Sequence, residues 1–183
     1  MKKQFLIALL AAAAVLPAAH AADDYFGVNV GRVGYKGSVA GIGSIKDNDV
    51  GYRIYVGHQI TNLFGLELGY ADLGKYEISG GGYRVAAEPR SLHAALTATY
   101  PINAQFALTG KAGFSRNRTR LSGTGLSSFK ENDTNTLLGL GAAFALNPKV
   151  ALVVDYENYS KVLNADGVSL KANVVSGGVR YSF

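Results

Sequence analysis

Ser91 and His93 lie two residues apart, and Glu67 sits on a neighbouring run of alternating polar and apolar residues. A serine, a histidine and a carboxylate are the parts of an acyl-transfer site, with one group attacking, one taking its proton and one orienting the base. The chain has no G-x-S-x-G element to hold a nucleophile and build an oxyanion hole. It has no cysteine, so thiolate catalysis and cysteine-ligated zinc are excluded. Of its three histidines, His20 lies in the extreme N-terminal segment, leaving His58 and His93, too few for a histidine-based metal site. Asp47-Asn48-Asp49 lacks the spacing and the distal Glu of a calcium loop and is expected to be a solvated turn. No catalytic residue, cofactor or metal is assigned. The other chemistry-bearing stretch is Arg116-Asn117-Arg118-Thr119-Arg120, three guanidiniums at every second residue, a pattern suited to bidentate contacts with phosphate.

Both groups need elements to position them, and the chain supplies a single kind. After the first 21 residues the dominant period is two, the signature of strands. Phe64, Leu66, Leu68 and Tyr70 share one face, against Gly65, Glu67 and Gly69 on the other. The split recurs with Leu92, Leu96 and Tyr100 against His93 and Thr97, with Phe106, Leu108 and Phe114 against Thr109 and Lys111, and with Leu152, Val154 and Tyr156 against Val153 and Asp155. Eight such runs are read at 25–35, 50–60, 64–74, 88–100, 104–117, 134–146, 149–160 and 170–183. Thr61-Asn62-Leu63, Pro101-Ile102-Asn103 and Asn147-Pro148 are short hairpin turns. The links at 36–49, 75–87, 118–133 and 161–169 are read as longer loops rich in Gly, Ser and charge. Short turns at one end and long loops at the other describe an up-and-down meander between two environments.

Which face is outside follows from residue size. Glycines cluster with the lone charges Arg53, Glu67, Lys111, Asp155 and Arg180, while the bulky apolar residues occupy the opposite face. The narrow interior of eight strands takes small side chains and paired charges, so the large apolar face is outside. Such a surface needs a solvent without water, where only a helix or a closed sheet satisfies the backbone. No later segment approaches the length of an apolar helical span. Residues 1–21 begin with Lys2 and Lys3, run apolar from Phe5 to Leu16 and end Ala19-His20-Ala21, the pattern of a cleaved export signal. Residues 22–183 then form one domain. The formal charge of +5 includes those two lysines, and the remainder is too small to imply nucleic acid.

The stretches GYRIYVGHQITNLFGLELGYADLG (51–74), LTATYPINAQFALTGKAGFSR (96–116), GLGAAFALNPKVALVVDYENY (139–159) and the terminal VRYSF carry a resemblance to the small OmpA-like outer-membrane β-barrel family. The resemblance implies an all-β, eight-stranded antiparallel up-and-down transmembrane β-barrel with both termini in the periplasm and four loops outside. It covers the barrel alone, with no room for the separate C-terminal peptidoglycan-binding domain of full-length OmpA. It implies that Phe183 is the terminal aromatic read by the outer-membrane assembly machinery. It also implies ion pairs across the lumen, for which Arg53, Glu67, His93, Lys111, Asp155 and Arg180 are the candidates. Ala143 and Val153 stand where the family often has an acidic and a basic residue, so a thinner network is expected.

By parity Arg116, Arg118 and Arg120 continue the lipid-side face of Phe114 and emerge at the level of lipopolysaccharide phosphates, with Arg32, Arg84 and Arg90 at similar height. The expected partners are membrane lipid, lipopolysaccharide and a host or surface ligand met by the loops, the third of them foremost. The expected role is structural support of the outer membrane with adhesion or host contact. A lipid A-modifying enzyme, a narrow pore for small solutes and a soluble barrel carrier are the competing readings.

Overall fold

The computed structural model describes residues 24–39, 43–80, 83–123, 126–165 and 168–183; the predicted export signal over 1–21 lies outside them. Nine strands follow one another: β1 (Asp24–Val39), β2 (Gly43–Gln59), β3 (Phe64–Asp72), β4 (Tyr76–Gly80), β5 (Tyr83–Pro101), β6 (Phe106–Gly123), β7 (Leu126–Ala145), β8 (Val150–Ala165) and β9 (Val168–Ser182). All pairings are antiparallel, and the β3–β5 and β1–β9 ladders close the sheet on itself. β3 and β4 are two parts of one stave, both paired with β5, so the barrel has eight staves. The stave breaks at Leu73-Gly74-Lys75, where Gly74 takes φ 79°, a left-handed conformation open to glycine.

The three short turns share one device. Thr61, Asn103 and Asn147 each accept a hydrogen bond from the backbone amide three residues on, at Phe64, Phe106 and Val150, at 2.8–2.9 Å. At the other end the strands run further than the sequence pattern indicates. The segments read as long loops are largely ladder, with β6 and β7 paired from Phe106 to Gly123. Polar side chains on both faces hide the period of two there, while the backbone pairing continues regardless.

The wall is inverted across the membrane zone. Leu96, Phe114 and Leu140 are 61 %, 67 % and 70 % exposed, while Arg53, Glu67, Lys111 and Asp155 are buried. Above the level of Tyr52 and Tyr70 the polarity reverts. There Val33, Tyr35, Leu73, Leu137, Tyr159, Val162 and Leu170 form a buried apolar cluster, and Arg32, Lys36, Arg118 and Lys171 face out. The same sheet thus obeys two solvents, hydrocarbon below and water above, and the switch marks the outer interface.

Two ladders stop at that interface. β2 leaves β3 after Tyr52↔Asp72, and β7 leaves β8 after Leu138↔Asn158. Beyond these points the staves form two four-stranded sheets, β8-β9-β1-β2 and β4-β5-β6-β7. Side chains close the two seams. At the first, the Lys75 amide donates to Asp49 Oδ2 at 2.5 Å and the Tyr35 hydroxyl to the Leu73 carbonyl at 2.5 Å. At the second, Asn135 Nδ2 donates to the Lys161 carbonyl at 2.6 Å and Thr119 Oγ1 to the Val162 carbonyl at 2.8 Å. The last three of these bonds satisfy backbone carbonyls at Leu73, Lys161 and Val162 that lie beside the ends of the ladders.

Candidate functional site

The period of two turns Arg53 of β2, Glu67 of β3, His93 of β5, Lys111 of β6 and Asp155 and Glu157 of β8 into the lumen. They meet. Arg53 Nη2 binds Asp155 Oδ2 at 2.7 Å and Nη1 binds Glu157, while Glu67 lies at 3.6 Å. Lys111 Nζ reaches Glu67 at 2.9 Å and Glu157 at 3.2 Å. His93 Nε2 is 3.4 Å from Glu67 Oε1. Asn29 donates to Asp155 at 2.8 Å, and the Tyr159 hydroxyl donates to Glu157 at 3.2 Å. The Tyr55 ring underlies the cluster, 4.3 Å from the Arg53 guanidinium carbon. Charges in this setting hold only because each finds opposite partners and hydrogen bonds.

The network is dense rather than thin. Glu157, two residues beyond Asp155 on the same face, supplies the carboxylate that Ala143 does not. Glu157 was not among the sequence candidates, although the Asp155-x-Glu157 spacing puts it on the same inward face. Asn29, Tyr55 and Tyr159 gave no such signal. Arg180 does not join the carboxylates: it is half-buried at the short-turn end, over the Tyr25 ring at 5.2 Å. It faces the lumen as parity requires, but it sits too close to the strand end to reach them. The spaces bordering the cluster are about 20 Å³ and about 10 Å³, room for about one water molecule each.

Ser91 and His93 are buried on the inner face, and Ser91 Oγ has no hydrogen-bond partner among the described residues. The serine–histidine contact that acyl transfer requires is not made. His58 lies at the short-turn rim, its Nδ1 2.7 Å from Asp24 Oδ1. Asp47 and Asp49 are engaged with backbone amides: Asp47 accepts from Asn48 at 2.7 Å and Asp49 from Val50 at 2.8 Å. Phe183 follows the last strand; its amide donates to the Asp24 carbonyl at 3.1 Å, and its ring packs edge-on to Tyr181.

On the outside, Arg116, Arg118 and Arg120 alternate with buried Ser115, Asn117 and Thr119 along β6. Arg118 is register-opposite Arg90 of β5, and Arg120 is opposite Glu88. Arg90 Nε approaches Asp72 at 3.4 Å. Arg32 is exposed on β1, which is not a neighbour of β5 or β6, and the Arg84 side chain lies outside the described residues. The described guanidiniums are therefore concentrated on the β5–β6 face and do not encircle the barrel.

A closed eight-stave sheet, greasy outside and ionic within, is the geometry of an outer-membrane barrel. The model of the OmpA-like transmembrane domain matches residues 19–183. The chain belongs to the OmpA-like transmembrane domain family. Outer membrane protein A of Shigella flexneri is 25 % identical over 100 % of this chain and 56 % of its own length, so the chain spans about half of that relative. Two solved barrels share the OmpA-like fold. Neisserial surface protein A covers 86 % of this chain and 97 % of its own at TM-score 0.64 and 21 % identity. Ail, the attachment invasion locus protein of Yersinia pestis, solved with the heparin analogue sucrose octasulfate, covers 87 % and 99 % at TM-score 0.57 and 17 % identity. This OmpA-like barrel is accordingly a protein of the bacterial outer membrane.

Proposed function

We propose that the barrel is a non-enzymatic surface protein that reinforces the outer membrane. Its sealed ionic axis makes it a rigid post, and Arg116, Arg118 and Arg120 hold lipopolysaccharide phosphates beside it. The observation that carries this reading is the wall itself: apolar across the membrane zone, basic at its outer edge and filled along its axis. A conducting role and a lumenal enzyme fit poorly with an interior whose spaces bordering the ion cluster hold about one water each. Delivery to the membrane by assembly machinery that reads Phe183 belongs to the same proposal.

A strain lacking the gene should admit a normally excluded hydrophobic dye faster than the parent, with unchanged lipid A acylation, and the wild-type gene should restore the barrier. Equal dye entry would overturn the structural role, and altered acylation would favour an enzyme.

A second reading, contact with a polyanionic host ligand, is supported by three lysines. Lys36 is register-opposite Lys171, which is opposite Lys161, so like charges line up across β1, β9 and β8 above the membrane. Such rows destabilise a sheet unless an anion answers them. The Ail complex with a heparin analogue makes a sulfated glycan the natural probe. Its binding to intact cells should fall in a K36Q/K171Q variant, and unchanged binding would remove this reading.

A further inference from the structure

Arg116 borders two depressions at once. The lower is an apolar groove of about 720 Å³ on the lipid side of the wall, lined in part by Leu68, Leu92, Ala94 and Phe114. The upper, of about 560 Å³, is lined by Arg90, Arg118 and Arg120 with one carboxylate, Glu88 opposite Arg120, and shares Tyr70, Leu92 and Arg116 with the first. Register explains the groove. Phe26, Val56, Leu68, Ala94 and Phe114 are successive cross-strand partners in one row. Ala94 is the small residue of that row, so the wall is hollowed between Leu68 and Phe114. The strands are staggered, so the row climbs from Phe26, near the periplasmic end of β1, to Phe114, just below Arg116.

The charge is equally local. Arg116, Arg118 and Arg120 have no ion-pair partner among the described residues. Arg118 faces Arg90, whose Nε is already 3.4 Å from Asp72, so the uncompensated charge for an anion is that of Arg118 and Arg116. Guanidinium matches phosphate through paired N–H donors.

We propose that the β3–β5–β6 face is a seat for one molecule of a phosphorylated, acylated lipid of the outer leaflet. One acyl chain follows the trough over Ala94, and a phosphate bridges Arg116 and Arg118. The proposal rests on the reading that the arginines meet the outer leaflet, and it narrows that contact to a single site with its own chain groove. Lipid tails around the barrel are as apolar as the groove, so burial gives little net drive. The phosphate supplies affinity, and the fit of the chain supplies selectivity.

The test uses the full barrel folded in detergent micelles, titrated with bisphosphorylated lipid A and followed by native mass spectrometry. A one-lipid adduct is expected. R116Q/R118Q should weaken it about tenfold or more, as loss of charged phosphate contacts does. A94F, which fills the trough from the lipid side, should weaken it several-fold, while A98F, on the same face of β5, should not. Inorganic phosphate should fail to displace the lipid, and phosphatidylethanolamine should bind more weakly. Wild-type binding by A94F, displacement by inorganic phosphate, or equal binding of phosphatidylethanolamine would overturn the seat. A leaky deletion strain with no adduct would leave the surface role standing without it; an adduct with an intact barrier in the deletion strain would do the reverse.

Discussion

The Arg53 guanidinium holds the Asp155 carboxylate at 2.7 Å, joining β2 to β8 across the barrel axis. The two residues are 102 positions apart in sequence, and no ladder connects their strands directly. This contact, with Lys111 to Glu67, makes the lumen a cross-braced core. Replacing Arg53 with Met leaves Glu67, Asp155 and Glu157 sharing Lys111. The cost is expected to be about 3–5 kcal/mol, the scale for breaking a buried ion pair from one side. Urea unfolding in lipid vesicles measures it.

The outer wall should respond to charge by depth. Leu96 faces hydrocarbon, and Leu96→Arg should destabilise the barrel by about 2–4 kcal/mol if it sits near the midplane. Arg at exposed Asn132, above the interface, should cost about 0–1 kcal/mol. Equal penalties at the two positions would place the interface elsewhere.

Tyr55 and Tyr25 lie on adjacent strands with their rings over Gly27 and Gly57, their register partners. A Cβ at either glycine would overlap the facing ring. Gly27→Val should therefore lower the yield of folded barrel, with a cost of about 1–3 kcal/mol for overpacking. Gly27→Val combined with Tyr55→Ala should recover part of that loss, read as the fraction folded after dilution from urea.

The seam bond from Tyr35 to the Leu73 carbonyl gives the outer half a pH response. Burial, with Asp49, Asp72 and Asp47 nearby, holds the Tyr35 phenol protonated well above its ordinary range. In the unfolded chain it ionises near pH 10, about the usual tyrosine value. Its folded value is raised, so its contribution is complete below about pH 10 and declines as pH rises further. Tyr35→Phe should lower the thermal midpoint to a constant extent at neutral pH, and the difference from wild type should shrink above pH 10.

Much of this was legible in the residues. The alternation in Phe64–Tyr70 and Phe106–Phe114 fixed both strand and face, because a barrel wall must separate two environments at every second residue. The sequence also placed Arg53, Glu67, Lys111 and Asp155 on one lining. It did not reveal where the staves end. Arg116–Arg120 alternates charged with polar residues, and Asn117 and Thr119 turn inward without any apolar signal. The two seams were equally hidden: the ladders end just before Gly74 (φ 79°) and Ser160 (φ 51°), and neither residue stands out in a chain so rich in glycine and serine. The contribution of Glu157 was visible by parity, but its partners depended on which staves face across the axis.

An inverted wall underlies every role of this barrel. The chain has no cysteine, so single cysteines can carry nitroxide labels in an otherwise native barrel reconstituted in phospholipid vesicles. Collision with oxygen, which concentrates in hydrocarbon, against a water-soluble nickel chelate is the deciding measurement. Labels at Leu66, Leu96 and Leu152 should meet oxygen freely and the chelate hardly at all, while labels at the buried neighbours Ala95 and Val153 should meet little of either. High oxygen access at Ala95 and Val153 with shielded Leu66, Leu96 and Leu152 would contradict the account.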